Sequence, residues 1–215
     1  MTDLAWLTAS QAVAMIAQKD LSPVEYLDAL LSRAAAEQER LNPFSHVAAE
    51  SARKAAIAAE AAVMRGDELG PLHGLPVHVK DLLKTKGIPT EYGSAIHAGY
   101  VPDNDDVLVA RLHAAGGVMF AKSHTPEFGH KGQTDGPHFG TTRNPWDTSR
   151  YAGGSSGGAA CAVAAMRDGR LVATPFATQD SSMLKTMAAA NALIVRPPHA
   201  PDAPAGAACR VLMLR

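Results

Sequence analysis

Residues 153–158 read Gly-Gly-Ser-Ser-Gly-Gly and lead directly into the apolar run Ala159-Ala160-Cys161-Ala162-Val163-Ala164-Ala165. A glycine-flanked pair of serines, Ser155 and Ser156, thus stands where a loop becomes a helix. Glycines on both sides open backbone conformations closed to residues with a β-carbon and let other groups come close. A helix start adds free N–H groups and a positive dipole end, which favour an anion or a developing alkoxide. Taken alone, the motif also fits a flexible linker or a phosphate cradle. The nucleotide fingerprints are not met: GxxxxGK[ST] is absent and no GxGxxG follows a strand here. The immediate start of a helix also argues against a linker.

A second residue type makes hydrolytic chemistry more specific. Lys80 lies 75 residues upstream of Ser155, at the end of the alternating segment Val77-His78-Val79-Lys80-Asp81. A lysine can act as a base only when part of it is neutral, and burial favours that by penalising the ammonium form. A neutral Lys80 near Ser155 could take the serine's proton. Away from such a partner, Lys80 reads as a surface lysine at a strand end, and Asp81 as a helix or turn cap. The two cysteines, Cys161 and Cys209, show no CxxC or Cys/His spacing, and the nine histidines are scattered. His73 and His78 are five apart on a loop entering a strand, a poor spacing for sharing a metal. No metal or organic cofactor is expected.

The elements that must hold these residues follow from caps and periodicity. Thr8 with Gln11 forms a capping box for a helix over 9–19, and Ser22-Pro23-Val24-Glu25 opens a second over 23–39 with proline at its first position. Tyr26, Leu30, Leu31 and Ala34 give that helix an apolar stripe. Alanine-rich residues 48–65 predict a third helix stopped by Gly66. Gly74-Leu75-Pro76 turns the chain into a strand over 77–80; residues 105–115 read as a helix before Gly116-Gly117, and 118–122 as a buried strand. The βα alternation implies an α/β sheet. A Gly-, Thr- and Pro-rich loop is expected over 125–152, and a helix from about residue 156.

The chain has 215 residues, 47% of them hydrophobic and 19% charged, enough for a real core. Lys and Arg number 20 against 21 Asp and Glu, so no overall field draws it to nucleic acid or an anionic membrane. With no basic start, no apolar leader and no run of about 18 apolar residues, a cytoplasmic protein is expected.

In order and spacing, Gly74-Leu75-Pro76-Val77-His78-Val79-Lys80-Asp81, Tyr92-Gly93-Ser94, Thr142-Arg143-Asn144-Pro145-Trp146 and the Gly-Gly-Ser-Ser-Gly-Gly-Ala-Ala segment resemble the amidase-signature family. That resemblance implies a Ser-Ser-Lys triad on a large α/β fold, cleaving carbon–nitrogen amide bonds of small molecules. Lys80 would be the base. Ser155, on a cis peptide, would be the serine that relays a proton between lysine and nucleophile. Gly129, Gly154 and Ser156 would line the substrate.

The resemblance stops near residue 165. In the family the acylated serine follows the relay serine by roughly two dozen residues, in an Asp-x-Gly-Gly-Ser-Ile-Arg type segment whose N–H groups also bind the oxyanion. Here Met166 is followed by Arg167-Asp168-Gly169-Arg170-Leu171-Val172-Ala173-Thr174-Pro175-Phe176. Ser181 and Ser182, 26 and 27 residues after Ser155, follow Gln179-Asp180 without glycine and read as caps of a helix starting at Met183. Residues 166–215 instead form a β-rich pattern, with strands expected at 171–174, 192–195 and 209–214 and a helix at 182–190. Ala173-Thr174-Pro175-Phe176, Gln179-Asp180-Ser181-Ser182-Met183-Leu184, Ile194-Val195-Arg196-Pro197-Pro198 and Cys209-Arg210-Val211-Leu212 resemble the C-terminal domain of molybdopterin molybdotransferases. The expected organisation is therefore a truncated amidase-signature α/β fold over 1–165, followed by a small β-rich tail over 166–215. Such a chain would be catalytically incomplete and prone to self-association through sheet edges. The alternatives are a fusion or binding module without catalysis, or a fragment linked to molybdenum-cofactor biosynthesis.

Overall fold

The computed structural model describes residues 4–162, 192–195 and 210–213. Two compact units divide the chain, Met1–Ala162 and Val163–Arg215. The first begins with helix α1, Ala9–Ala17, entered through the complete Thr8–Gln11 capping box. Helix α2, Pro23–Leu41, starts at the Ser22 hydroxyl, which accepts the Val24 and Glu25 N–H groups, and ends at Asn42 in the left-handed region. Strand β1, Phe44–Val47, precedes helix α3, Ala49–Arg65, which Gly66 closes at φ +79°. Strand β2, Pro76–Lys80, is followed by helix α4, Val107–Ala114, and strand β3, Val118–Ser123.

These strands form one sheet in the order β1-β3-β2. Strand β2 runs parallel to β3, pairing Pro76 with Val118 and Lys80 with Ser123, whereas β1 is antiparallel to β3. Every residue of β3 is buried, as expected of a central strand covered on both faces. Phe120 and Val118 pack with Leu27, Phe44, Ala52 and Ala56 beneath α2 and α3. Met119 packs with Val79, Ile88 and Val109 on the α4 side. The small alanines of α3 let that helix approach the sheet closely, so its alanine content serves packing as well as propensity.

The helices expected within residues 1–165 and the two strands flanking α4 are all present, α4 being shorter than its expected span. The segment expected to be a loop contains two small hairpins: β4, Asp135–Gly136, with β5, Gly140–Thr141, and β6, Arg143–Asn144, with β7, Asp147–Tyr151. Helix α5, Gly157–Ala162, follows. In the second unit, strands β8, Ala192–Val195, and β9, Arg210–Met213, pair antiparallel. The strand expected at 171–174 and the helix at 182–190 lie outside the described residues. No helix among the described residues is long and apolar enough to cross a membrane.

One buried and one half-buried histidine of the first unit give it an acid-sensitive core. His124, 1% exposed, directs Nδ1 to the Thr142 hydroxyl at 2.7 Å, and that hydroxyl donates to the Asn42 carbonyl at 2.7 Å. Thr142 has one proton to give, so His124 must carry its own on Nδ1. Its Nε2 is then a bare nitrogen with no hydrogen-bond partner among the described residues. His78, edge-on to Phe44 and Phe120, also has an unpartnered Nδ1. Burial lowers both pKa values to about 4.

In the unfolded chain these rings bind protons near pH 6.5, but in the fold only near 4, so stability falls as pH drops through that window. Each ring is worth about 3 kcal/mol by that difference. Asp81, raised by burial to about 6, takes its proton earlier in the fold and offsets a similar amount with the opposite sign. A net loss of about 3 kcal/mol between pH 6.5 and pH 4 is expected from urea midpoints followed by circular dichroism. A flat or rising profile would contradict it.

Candidate active site

Lys80 is the last residue of β2, held between the sheet and the turn that follows: the Asp81 N–H donates to the Ser123 carbonyl at 2.9 Å and the Leu83 N–H to the Lys80 carbonyl at 3.0 Å. From there its side chain meets a residue 75 positions further along the chain, and Lys80 Nζ donates to Ser155 Oγ at 2.7 Å. Partial burial pushes the Lys80 pKa down, and no charged neighbour contributes to the shift. The pair can exchange a proton in either direction, with Nζ donating as ammonium or accepting as amine.

Ser155 is fixed through its backbone. The Gly154–Ser155 peptide is cis, and the Ser155 carbonyl accepts the Thr125 hydroxyl at 3.1 Å. Just beyond, the Thr134 hydroxyl accepts the Gly157 N–H at 3.0 Å, and the His124 carbonyl accepts the Gly158 N–H at 3.2 Å. Residues leaving β3 thereby seat the first turn of α5, so both ends of the Lys80–Ser155 bond refer back to one sheet.

Gly129 closes the other side. It stands at φ +67°, in a turn where Phe128 is also left-handed, and a β-carbon there would lie 2.9 Å from Leu82 Cδ1 and 3.7 Å from Ser155 Oγ. Gly154 and Ser156 are exposed beside it. The structure thus brings Lys80, Ser155 and Gly129 together and leaves Gly154 and Ser156 on the open face. Next to this face Tyr92, His97, Tyr100 and Phe128 form an aromatic cluster, and the Phe128 N–H donates to the Tyr92 carbonyl at 2.7 Å.

Sequence reasoning missed the polar core behind the site. Lys122, the fifth residue of β3, is fully buried, with Nζ donating to the Leu83 carbonyl, to Thr85 Oγ1 at 3.1 Å and to Thr90 Oγ1 at 2.7 Å. Asp81, 1% exposed, lies 3.8 Å from that ammonium and accepts the Glu91 N–H at 3.2 Å and the Gly93 N–H at 3.4 Å. Burial lowers the Lys122 pKa to about 8. The signal was available as a lysine inside an otherwise apolar strand, followed directly by Ser123 and His124. Among the described residues no group of three His, Cys, Asp or Glu side chains could hold a metal ion.

A family model described as Amidase matches residues 25–167. The chain belongs to the amidase family. Its curated relatives include the A subunit of glutamyl-tRNA(Gln) amidotransferase from Salinispora arenicola (strain CNS-205), 47% identical over 165 residues, which are 77% of this chain and 34% of the relative. Among solved structures, a bacterial aryl acylamidase of the amidase signature enzymes family aligns with a TM-score of 0.70 at 30% identity, covering 74% of this chain and 33% of that one. Native peptide amidase from Stenotrophomonas maltophilia gives a TM-score of 0.67 at 30% identity, covering 74% and 34%. This amidase chain therefore spans about a third of the length of the curated relatives it matches. A second family model, the MoeA C-terminal region (domain IV), matches residues 161–214.

Proposed function

We propose that Lys80 and Ser155 are the base and relay of an amide-hydrolase site whose nucleophile and oxyanion-binding segment this 215-residue sequence lacks. The observation that carries the reading is the 2.7 Å contact between Lys80 Nζ and Ser155 Oγ. In the forward direction, neutral Lys80 takes the Ser155 proton while Ser155 Oγ takes the proton of an attacking hydroxyl, so the nucleophile is activated at a distance from the base. Gly129, with Gly154 and Ser156 on the open face, lines the space a small amide would enter. The chemistry asks for no metal or organic cofactor.

The segment after Ala165 does not supply the missing parts. No Gly-Gly-Ser run occurs beyond Ser155, and Ser181 and Ser182 lack the glycines whose N–H groups would hold an oxyanion. We place the domain boundary near residue 165, a position supported by the division into units after Ala162 and by the meeting of the two family models there. The match to the MoeA C-terminal region favours a fused module as origin of the tail. The outer edges of β1 and β2 offer a route to self-association.

Purified chain incubated with glutamine, an aryl acylamide or a C-terminal peptide amide is expected to release product no faster than a Lys80→Ala chain. Turnover that exceeds the Lys80→Ala control and saturates with substrate would overturn the proposal.

A further inference from the structure

We infer that the buried Lys122–Asp81 pair is a positioning device for the Lys80–Ser155 half-site, pinning residues 83–93 so that both flanks of that hydrogen bond stay in place. The inference rests on reading Lys80 as the base, but its test reads the state of Lys80 itself, not turnover.

On the lysine side the connections are continuous. Lys122 Nζ holds the Leu83 carbonyl, and the Leu83 N–H donates to the Lys80 carbonyl at 3.0 Å, so the ammonium fixes the turn that ends β2. Its further bonds to Thr85 and Thr90 tie the rest of this segment to β3. On the serine side, Asp81 holds the N–H groups of Glu91 and Gly93, which brackets Tyr92. The Tyr92 carbonyl accepts the Phe128 N–H at 2.7 Å, and the adjoining Gly129 abuts Leu82 and Ser155.

A purely apolar filling would give less than this. An ammonium offers three donors on a single point, and a carboxylate offers acceptors to amides, so together they bind five backbone and hydroxyl groups, and a methionine–leucine pair would take from the Glu91 and Gly93 N–H groups the acceptor they share and from Leu83, Thr85 and Thr90 their common donor. The Lys122–Asp81 separation of 3.8 Å makes them an ion pair as well, which keeps two buried charges compatible with folding. Loosening the segment would admit water to Lys80, whose pKa is held down by burial.

The experiment is a titration of Lys80 in the full chain, dimethylated with 13C-formaldehyde and assigned by a Lys80→Arg chain, followed by NMR. In Lys122→Met and Asp81→Ala the Lys80 midpoint is expected to move up toward that of a free lysine. In Asp81→Asn, which keeps an acceptor for Glu91 and Gly93, it is expected to stay near its native value. An Arg53→Ala chain, altered at an exposed ion pair on α3, should leave it unchanged. If circular dichroism shows Lys122→Met or Asp81→Ala to be unfolded, Thr90→Val carries the test. It removes one acceptor of the Lys122 ammonium without changing charge, and a smaller upward move is expected. A native Lys80 midpoint in folded Lys122→Met and Asp81→Ala chains, or in Thr90→Val where those are unfolded, would overturn the inference.

Discussion

A Gly158→Ala chain is expected to lose about 3 kcal/mol or more of stability, together with the Lys80–Ser155 contact, although alanine favours helix by about 1 kcal/mol over glycine. The reason lies in three pieces of backbone that meet at one point. Gly158 is buried in the first turn of α5, and a β-carbon there would overlap the His124 nitrogen and the Pro43 carbonyl oxygen and lie 2.7 Å from the His124 carbonyl oxygen. Those atoms cannot yield cheaply, because the His124 N–H already donates to the Pro43 carbonyl at 2.9 Å and the His124 carbonyl accepts the Gly158 N–H. They also tie the end of β3 to the residue before β1. Retreat of α5 would carry Ser155 away from Lys80. Gly132→Ala, where a β-carbon meets nothing within 4 Å, should be close to neutral. Urea midpoints of the two variants against the parent decide the matter: a Gly158→Ala chain as stable as the parent would mean that α5 does not sit where the structure puts it.

Much of this arrangement was legible in sequence because it depends on local chemistry. Thr8 with Gln11, and Ser22 before Pro23, mark helix starts through bonds spanning three residues, and both caps form as expected. The pairing of Lys80 with Ser155 was legible only through motif order, since nothing local brings residues 75 apart into contact. Strand β1 was missed because four residues between two helices, paired with a strand far along the chain, carry no period of their own. The hairpins of residues 135–151 were missed for a related reason: three of their four strands are two residues long, and alternation cannot be read from two residues. Asp81 was anticipated as a cap, and it does receive amides from Glu91 and Gly93. Its ion pair with Lys122 was not foreseen, because burial of a charge is a property of the assembled sheet.

The largest effect expected is the absence of covalent chemistry. An acyl transfer needs a nucleophile, a base, a relay and donors for the oxyanion; in the proposal made above, Lys80 and Ser155 are the base and the relay. Losing one oxyanion donor alone costs roughly 2.7 to 4 kcal/mol, and without a nucleophile no acyl-enzyme forms. In this scheme Ser155 passes a proton between Lys80 and the missing nucleophile and is not itself acylated. Treating the purified chain with a fluorophosphonate probe and mapping labelled peptides by mass spectrometry tests this directly. The account predicts no labelling above that of a Lys80→Ala chain at any serine; stoichiometric labelling at Ser155, Ser181 or Ser182 that disappears in Lys80→Ala would contradict it.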